Sequence, residues 1–586
     1  AEVNYWRNKA WMPRFTGNRA PGSASLSEEY GEGLTLNIEN QILLNKKLGD
    51  HNLQATAVHQ ARSSRNNSIQ GDETGFDFEQ LNTLANGGTS ASVLKGYTSD
   101  YRMLSYLGRI IYDYKGKYFL TGSYRSDGVS LFAPQIRRGN FASGSVAWKI
   151  NEDLFKNVEQ IDVLKLRAGW GQTGNSDVGG GFQYVDKISE ATQFSPVFGD
   201  DQHIARAQYV FYGLAYPDFR WETAEMTNIG LDLSMYKNKL QISAEYYIKD
   251  NNDLLVAINS SYVYGRQDGN PWYNAGNIQN RGVELSLQWR DKIGAFNYGF
   301  ISNFTTIKNE VLSLPVTDIT KPDKPDDITG YNRTVKGHSI GALYGYVSEG
   351  IIQLNESNYA RGTDGNFQQD PETHQYIGYL HATHAANTPQ PGDMRFSDLN
   401  GDGDVTPLDR TIIGKTIPSF NYSFGFDCSY KSFDFNIFLY GVADFDIYNR
   451  QRASLSSMNG QDMDHNKLNS FAQNHWTPEN PSTTYVRVDP SDRNVNDRIS
   501  TFWIEDGSFL RVKDVQLGYT LGKNTATRAG IASVRLYVNA SNLYCFTNYK
   551  GRDPEGFMST NPLDGGKDNG GYSMPRTFTG GLQIEF

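Results

Sequence analysis

Connections of very unequal length alternate along this chain, and few folds tolerate that arrangement. Five connections are tight: Lys46-Lys47-Leu48-Gly49-Asp50, Tyr114-Lys115-Gly116-Lys117, Tyr236-Lys237-Asn238-Lys239, Asp291-Lys292-Ile293-Gly294 and Lys431-Ser432. A somewhat longer one at 521–532 carries Gly522 and Gly530. Between them lie long polar stretches at 62–101, 172–222, 250–279, 308–417, 444–508 and 547–575. A meander whose every second connection is tight gathers its long loops at one end. A soluble sandwich has no reason for that bias, whereas an antiparallel barrel crossing a membrane carries tight turns on one side and long loops on the other.

The segments between these connections alternate with period two. In 226–236 the apolar residues are Ile229, Leu231, Leu233 and Met235, against Asn228, Asp232 and Ser234. In 239–249 they are Leu240, Ile242, Ala244, Tyr246 and Ile248, and in 282–290 they are Val283, Leu285, Leu287 and Trp289. Residues 420–430 place Phe420, Tyr422, Phe424, Phe426, Cys428 and Tyr430 on one face, and 433–439 repeats the pattern with Phe433, Phe435, Ile437 and Leu439. Successive side chains in a strand point to opposite faces, so each segment has one apolar and one polar side. All but the shorter 433–439 have the roughly 9–11 residues that a tilted membrane strand needs.

Bulk composition does not oppose this. Mean hydropathy is −0.56 and net charge −10 over 586 residues. No stretch approaches the ~20 consecutive apolar residues of a membrane-spanning helix, but a barrel evades that test because only alternate residues face lipid. Aromatic residues make up 13% of the chain, with 36 Tyr, 31 Phe and 9 Trp. That suits interface girdles and equally a surface that stacks on sugar rings. The acidic balance excludes nucleic acid as a partner. Cys428 and Cys545 are too few and too far apart for a disulfide framework.

The closing segment Phe578-Thr579-Gly580-Gly581-Leu582-Gln583-Ile584-Glu585-Phe586 alternates again and ends on an aromatic residue. It resembles the terminal aromatic signature of bacterial outer-membrane barrels. The pattern predicts fifteen strands, at about 34–44, 51–61, 103–113, 117–126, 140–150, 161–171, 223–236, 239–249, 280–290, 295–306, 418–430, 433–443, 509–520, 533–545 and 577–586. Closed bacterial barrels have even counts. The odd count, and an opening Ala1-Glu2-Val3-Asn4-Tyr5-Trp6 with no signal peptide, predict that an odd number of strands precedes the sequence.

One motif carries chemistry. Asp398-Leu399-Asn400-Gly401-Asp402-Gly403-Asp404-Val405-Thr406-Pro407-Leu408-Asp409 fits a twelve-residue calcium loop. Asp398, Asn400 and Asp402 fall at positions one, three and five, Gly403 at the sharp sixth position, the Asp404 carbonyl at seven, and Asp409 at twelve in place of the usual Glu. A hard cation needs six to eight oxygens, so this spacing predicts structural Ca2+, with Mg2+ as the other hard divalent candidate. An Asp/Asn/Gly turn without metal is the alternative. No helical pattern flanks the loop, so no regulatory EF-hand pair is expected.

No catalytic constellation emerges, and the chain is not read as an enzyme. His381 and His384 lie in a polar loop, Gly179-Gly180-Gly181 lacks the strand and helix of a phosphate cradle, and no Gly-x-Ser-x-Gly elbow occurs.

Five blocks look familiar together: Tyr114-Lys115-Gly116-Lys117-Tyr118-Phe119-Leu120-Thr121-Gly122-Ser123-Tyr124-Arg125-Ser126-Asp127-Gly128; Leu164-Lys165-Leu166-Arg167-Ala168-Gly169-Trp170-Gly171-Gln172-Thr173-Gly174-Asn175; Gly392-Asp393-Met394-Arg395-Phe396-Ser397-Asp398-Leu399-Asn400-Gly401-Asp402-Gly403; Asp506-Gly507-Ser508-Phe509-Leu510-Arg511-Val512-Lys513-Asp514-Val515-Gln516-Leu517-Gly518-Tyr519; and Asn539-Ala540-Ser541-Asn542-Leu543-Tyr544. With these blocks the chain resembles the C-terminal barrel of the SusC/RagA family of TonB-dependent outer-membrane transporters of Bacteroidetes. The resemblance implies an all-β, transmembrane antiparallel barrel of 22 strands with an N-terminal plug. The whole of 1–586 would be part of one such barrel domain, with 308–417 a long extracellular loop region holding the calcium-type loop 398–409.

The resemblance further implies a multi-pass protein of the bacterial outer membrane, importing oligosaccharides or peptides under a SusD-like surface lipoprotein lid. It implies drive by TonB–ExbB–ExbD through the plug, and a dimer of transporter–lipoprotein pairs. Signal peptide, N-terminal extension, TonB-contacting segment, plug and about seven strands would lie outside this sequence.

Trp221, Trp272, Tyr273 and Trp476 in the loops are the candidate cargo-stacking residues, with girdle or loop packing as their other reading. A secreted, calcium-stabilised β-sandwich that binds or hydrolyses polysaccharide also explains the aromatics and the Asp398 loop, but not the one-sided loops or Phe586. A siderophore or cobalamin receptor would keep the barrel, and the five blocks disfavour it.

Overall fold

The computed structural model describes residues 1–12, 24–76, 83–84, 93–176, 182, 184–185, 187–190, 197–198, 205–206, 209–213, 219–257, 272–274, 276–314, 330–354, 371, 389–402, 405–458, 466–490, 494–521, 531–557 and 562–585. They divide into two compact units: Ala1–Ala147 with Gly169–Glu225 and Gly265–Asn274, and Trp148–Ala168 with Met226–Tyr264 and Ala275–Phe586.

The first unit is an antiparallel meander of β1 (Glu2–Met12), β2 (Ser25–Leu48), β3 (His51–Thr74), β4 (Val93–Tyr114), β5 (Tyr118–Val129) and β6 (Arg138–Lys149). Register sorts the side chains. Leu36 lies opposite Ser63 and Ser63 opposite Arg102, while Ile38, Ala61, Leu104 and Gly128 form the next row. That face carries Leu34, Leu36, Ile38, Ile42, Leu104, Tyr106, Ile110, Leu120 and Tyr124. Ile42 is 73% and Ile38 61% exposed. Large apolar side chains bare over a whole sheet face are what a wall needs whose solvent is lipid. The opposite face carries Gln54, Gln60, Ser105, Arg109, Thr121 and Arg125.

The second unit continues the same alternation. It contains most of β7 (Ile161–Asn175) and β8 (Glu222–Met235), then β9 (Leu240–Asn252), β10 (Asn277–Ile293), β11 (Phe296–Thr306), β12 (Lys308–Ser313), β13 (Phe420–Tyr430), β14 (Phe433–Ala443), β15 (Phe509–Thr520), β16 (Ser533–Thr547) and β17 (Thr577–Glu585). Sequential neighbours pair antiparallel from β9 onward, with β11 and β12 two stretches of one strand against β10. The tight turns take the left-handed backbone that two-residue hairpins demand. Lys115 and Gly116 have φ of 55° and 65°, and Tyr236, Lys237 and Asn238 have 58°, 61° and 61°.

The second unit also contains a hydrophobic core built from loops. Leu343, Met394, Phe471, Trp476, Val486, Ile499 and Trp503 are buried together. Short ladders brace it: Asn332–Arg333, Ala342–Gly345 and Thr411–Gly414 in one sheet, Ser348–Ile351 with Met394–Phe396, and Asp446–Tyr448 with Ile504–Asp506. Two short helices, Arg450–Leu455 and Asn469–Asn474, supply Ala453 and Phe471. Residues of the polar stretches 308–417 and 444–508 are therefore packed into one body.

Two expectations change. Counting β11 and β12 as one, the described residues hold sixteen long strands, not fifteen. Glu2–Met12 is the addition, and the even count removes the parity argument. Its alternation is masked because Arg7 and Lys9 share a face with Val3 and Tyr5. The secreted sandwich is also set aside. β2 and β3 pair over 24 residues each, which at ~3.4 Å per residue is about 80 Å, far beyond a sandwich strand of about 3–10 residues. Phe586, His381, His384 and Gly179–Gly181 lie outside the described residues.

Candidate functional site

On the polar face of the second unit, charged side chains are seated over glycines. Arg167 of β7 pairs with Asp232 of β8 at 3.3 Å and with Glu245 of β9, and Ser243 Oγ donates to Asp232 at 2.8 Å. A Cβ on Gly230 would lie 2.6 Å from the Arg167 guanidinium carbon, so that position must be Gly for the arginine to lie flat. The same device recurs where Arg535 pairs with Asp434 at 2.5 Å beside Gly518. Such paired charges make a wall that is polar without carrying a strong net sign.

The loop body is held by buried polar contacts. Asp393, 1% exposed, accepts from Arg487 Nε at 2.7 Å, Asn496 Nδ2 at 3.1 Å and the Gln390 amide at 2.8 Å. Arg511 pairs with Asp553 and, at 2.8 Å, with Glu555, and Lys513 reaches Glu555 at 2.5 Å. These contacts tie residues 553–555 to β15. Tyr549, buried, donates to Asp568 at 2.5 Å, and burial together with that carboxylate pushes its phenol well above the ordinary value. Burial raises the Asp446 carboxyl, while the hydrogen bond from Lys415 holds neighbouring Asp444 below the usual range.

The loop predicted to hold calcium is closed by hydrogen bonds. Asp409 is fully buried; Oδ1 accepts from the Leu399 amide at 2.8 Å and the Asn400 amide at 3.1 Å, and Oδ2 from the Thr406 amide at 2.7 Å. Asp398 accepts from the Gly401 amide at 2.7 Å, and Asn400 Oδ1 from the Asp402 amide at 2.8 Å. Asp404 and Gly403 lie outside the described residues. Among the described residues no three His, Cys, Asp or Glu side chains are placed to share a metal. The donor set suits a hard cation in kind, all oxygen, but in this conformation Asp409 spends its carboxylate on backbone N–H groups.

The candidate stacking residues are dispersed. Trp221 stacks on Phe132 at 5.2 Å, meets Phe141 edge-on at 5.4 Å, and donates from Nε1 to the Arg137 carbonyl at 3.2 Å. Trp476 sits in the loop core and donates to Gln353 Oε1 at 3.1 Å. Both rings are buried. Trp272 and Tyr273 lie in a short ladder, Trp272–Asn274; their side chains are outside the described residues. The paired charges over glycine were not read from the sequence. The available signal was glycine recurring at polar-face positions of strands.

Comparison with known proteins fits this geometry. The profile of the family described as TonB dependent receptor-like, beta-barrel, matches residues 4–401. TonB-dependent receptor P3 of Formosa agariphila is 29% identical over 571 residues, covering 95% of this chain and 53% of that protein. TonB-dependent receptor SusC of Bacteroides thetaiotaomicron is 27% identical over 503 residues, covering 84% of this chain and 44% of SusC. The structure of the RagAB peptide transporter superposes with a TM-score of 0.77 at 21% identity, covering all of this chain and 59% of that one. The chain thus spans about half the length of the curated relatives it matches. Bare apolar faces, polar faces of paired charges, and a match across most of the sequence converge: the chain belongs to the TonB-dependent receptor-like β-barrel family and crosses the bacterial outer membrane by its strands.

Proposed function

We propose that this chain forms wall and external loops of a TonB-dependent importer of oligosaccharides or peptides, working with a SusD-like surface lipoprotein as its lid. The observation that carries the reading is the loop body packed around Trp503 and Phe471, a rigid platform suited to docking a lid, together with strand faces suited to lipid on one side and polar cargo on the other. TonB–ExbB–ExbD would drive import through a plug, and two transporter–lipoprotein pairs would form the assembly.

Cargo would meet paired charges and tyrosines on the polar face, with Trp272 and Tyr273 as loop contacts. The Asp398–Asp409 loop would take up Ca2+ through Asp398, Asn400, Asp402 and Asp404, with Asp409 closing it, and so stiffen the loop rather than act on cargo.

The test is genetic and biochemical. Deleting the gene should abolish growth on one defined glycan or peptide mixture, and the tagged protein should retain a surface lipoprotein on purification. Unchanged growth on every oligosaccharide and peptide source tried, with no lipoprotein retained, overturns the reading.

A further inference from the structure

The apolar face of the first unit ends in a row of arginines. Along β4 the side chains on that face run Tyr112, Ile110, Gly108, Tyr106 and Leu104, and the next is Arg102. On β3 the corresponding charged position is Arg65, across from Asp100 at 3.7 Å. On β6 it is Arg138, whose guanidinium lies over the Tyr106 ring at 5.5 Å and donates to Ser126 Oγ at 3.2 Å. Arg102 and Arg138 are exposed, and among the described residues no carboxylate pairs with either. Between them is a cavity of about 810 Å³ lined by Leu36, Ile38 and Leu104, by Arg102, Arg137 and Arg138, and by Asp100, the carboxylate that Arg65 pairs with.

This end of the strands is the one away from the tight turns at Gly49-Asp50 and Lys115-Gly116, so it points to the outer leaflet. Arginine presents a planar fork matched to phosphate oxygens, and it can keep that head at the interface while its stem lies along apolar surface. A soluble anion would need the guanidinium groups and not the apolar lining. A lipid with a phosphorylated headgroup uses both, laying an acyl chain on Leu36 and Ile38 while its phosphate meets Arg102 and Arg138.

We propose that the membrane-facing side of this unit carries a site for a phosphate-bearing lipid of the outer leaflet, with Arg102 and Arg138 as phosphate ligands, Arg137 contributing field, Arg65 offsetting the charge of Asp100, and Leu36 and Ile38 receiving the acyl chain. The site faces lipid, so it is independent of the cargo and of the lid.

The intact transporter containing this chain is to be delipidated and reconstituted in phosphatidylethanolamine vesicles carrying lipid A in its phosphorylated or its dephosphorylated form. Lipid retained after detergent extraction is then counted by mass spectrometry. The unmutated protein should retain the phosphorylated form in excess. Arg102→Ala with Arg138→Ala removes two near-surface cations and should lower retention roughly tenfold or more, while Arg102→Lys with Arg138→Lys should keep much of it. Arg109→Ala, on the opposite face of β4, should leave it unchanged. Equal retention of both lipid forms by the unmutated protein overturns the proposal whether or not the variants fold, as does full retention by a folded double alanine variant.

Discussion

Arg487 and Asp393 meet at 2.7 Å in the interior of the loop body, although 94 residues separate them. Asp393 also receives Asn496 Nδ2, and Asn496 Oδ1 in turn accepts from the Met394 amide at 2.8 Å. One carboxylate therefore joins the segments around 393, 487 and 496. Asp393→Ala leaves Arg487 paired with Asp489 at 2.6 Å but takes this acceptor from Asn496 Nδ2 and the Gln390 amide, and hydrogen bonds to a charged group are worth about 1.5–3 kcal/mol each. Asp393→Ala should accordingly loosen the loop body while leaving the membrane strands folded. Limited trypsin digestion should cut within 476–498 in the variant only, and a protection pattern equal to the parent would refute the hub role.

Gly341 tests how closely the loops are packed. Its φ is +61°, and a Cβ there would lie 2.0 Å from the Pro562 carbonyl oxygen. Gly49 has the same φ with open space around it. Left-handed backbone at a non-glycine residue costs about 1–3 kcal/mol. Gly49→Ala should show that backbone cost alone, whereas Gly341→Ala should add the clash and lose clearly more stability in urea titrations of the micelle-bound protein. Equal losses would mean that the Pro562 contact is not made.

The Tyr549–Asp568 contact predicts an alkaline limit. Asp568 is fully buried, and Tyr549→Phe would leave its Oδ2 without this donor, a loss of about 1–3 kcal/mol. The folded phenol titrates above its unfolded value of about 10. Its contribution is thus complete below that pH and is lost as pH rises through the folded value. The stability gap between parent and Tyr549→Phe should be flat at neutral pH and shrink above about pH 10. A gap that instead grows with pH would show that the phenolate, not the phenol, is the stabilising form.

The strands were legible because period-two alternation is enforced by lipid on one side. Leu240–Ile248 and Phe420–Tyr430 read directly as the paired strands observed. Their ends were not legible, since β2 and β3 run past the membrane, where polar residues such as Glu32 and Asn67 pair as well as apolar ones. The site was harder. Arg511, Arg167 and Asp393 all lie inside the recognised blocks, yet their partners are 42, 78 and 94 residues away, and sequence spacing carries no sign of that closure. Trp221 looked like a loop aromatic because its neighbours Phe132 and Phe141 sit 89 and 80 positions upstream.

Asp409 and Asp402 separate two roles that the spacing of the Asp398 loop conflates. The Asp409 carboxylate takes three backbone N–H donors in a fully buried position, and hydrogen bonds to a charged group are worth about 1.5–3 kcal/mol each. Asp409→Asn puts an amide N–H where an N–H donor must be received, so it should destabilise the loop by roughly 2 kcal/mol with or without chelator. Asp402 is exposed, and its carboxylate accepts from Asn400 Nδ2 at 2.9 Å. Asp402→Asn should leave the melting transition nearly unchanged without calcium and weaken any calcium uptake seen by calorimetry. If Asp409→Asn melts like the parent in chelator and differs only when calcium is added, Asp409 acts as a metal ligand and not as the hydrogen-bonded closure of the loop.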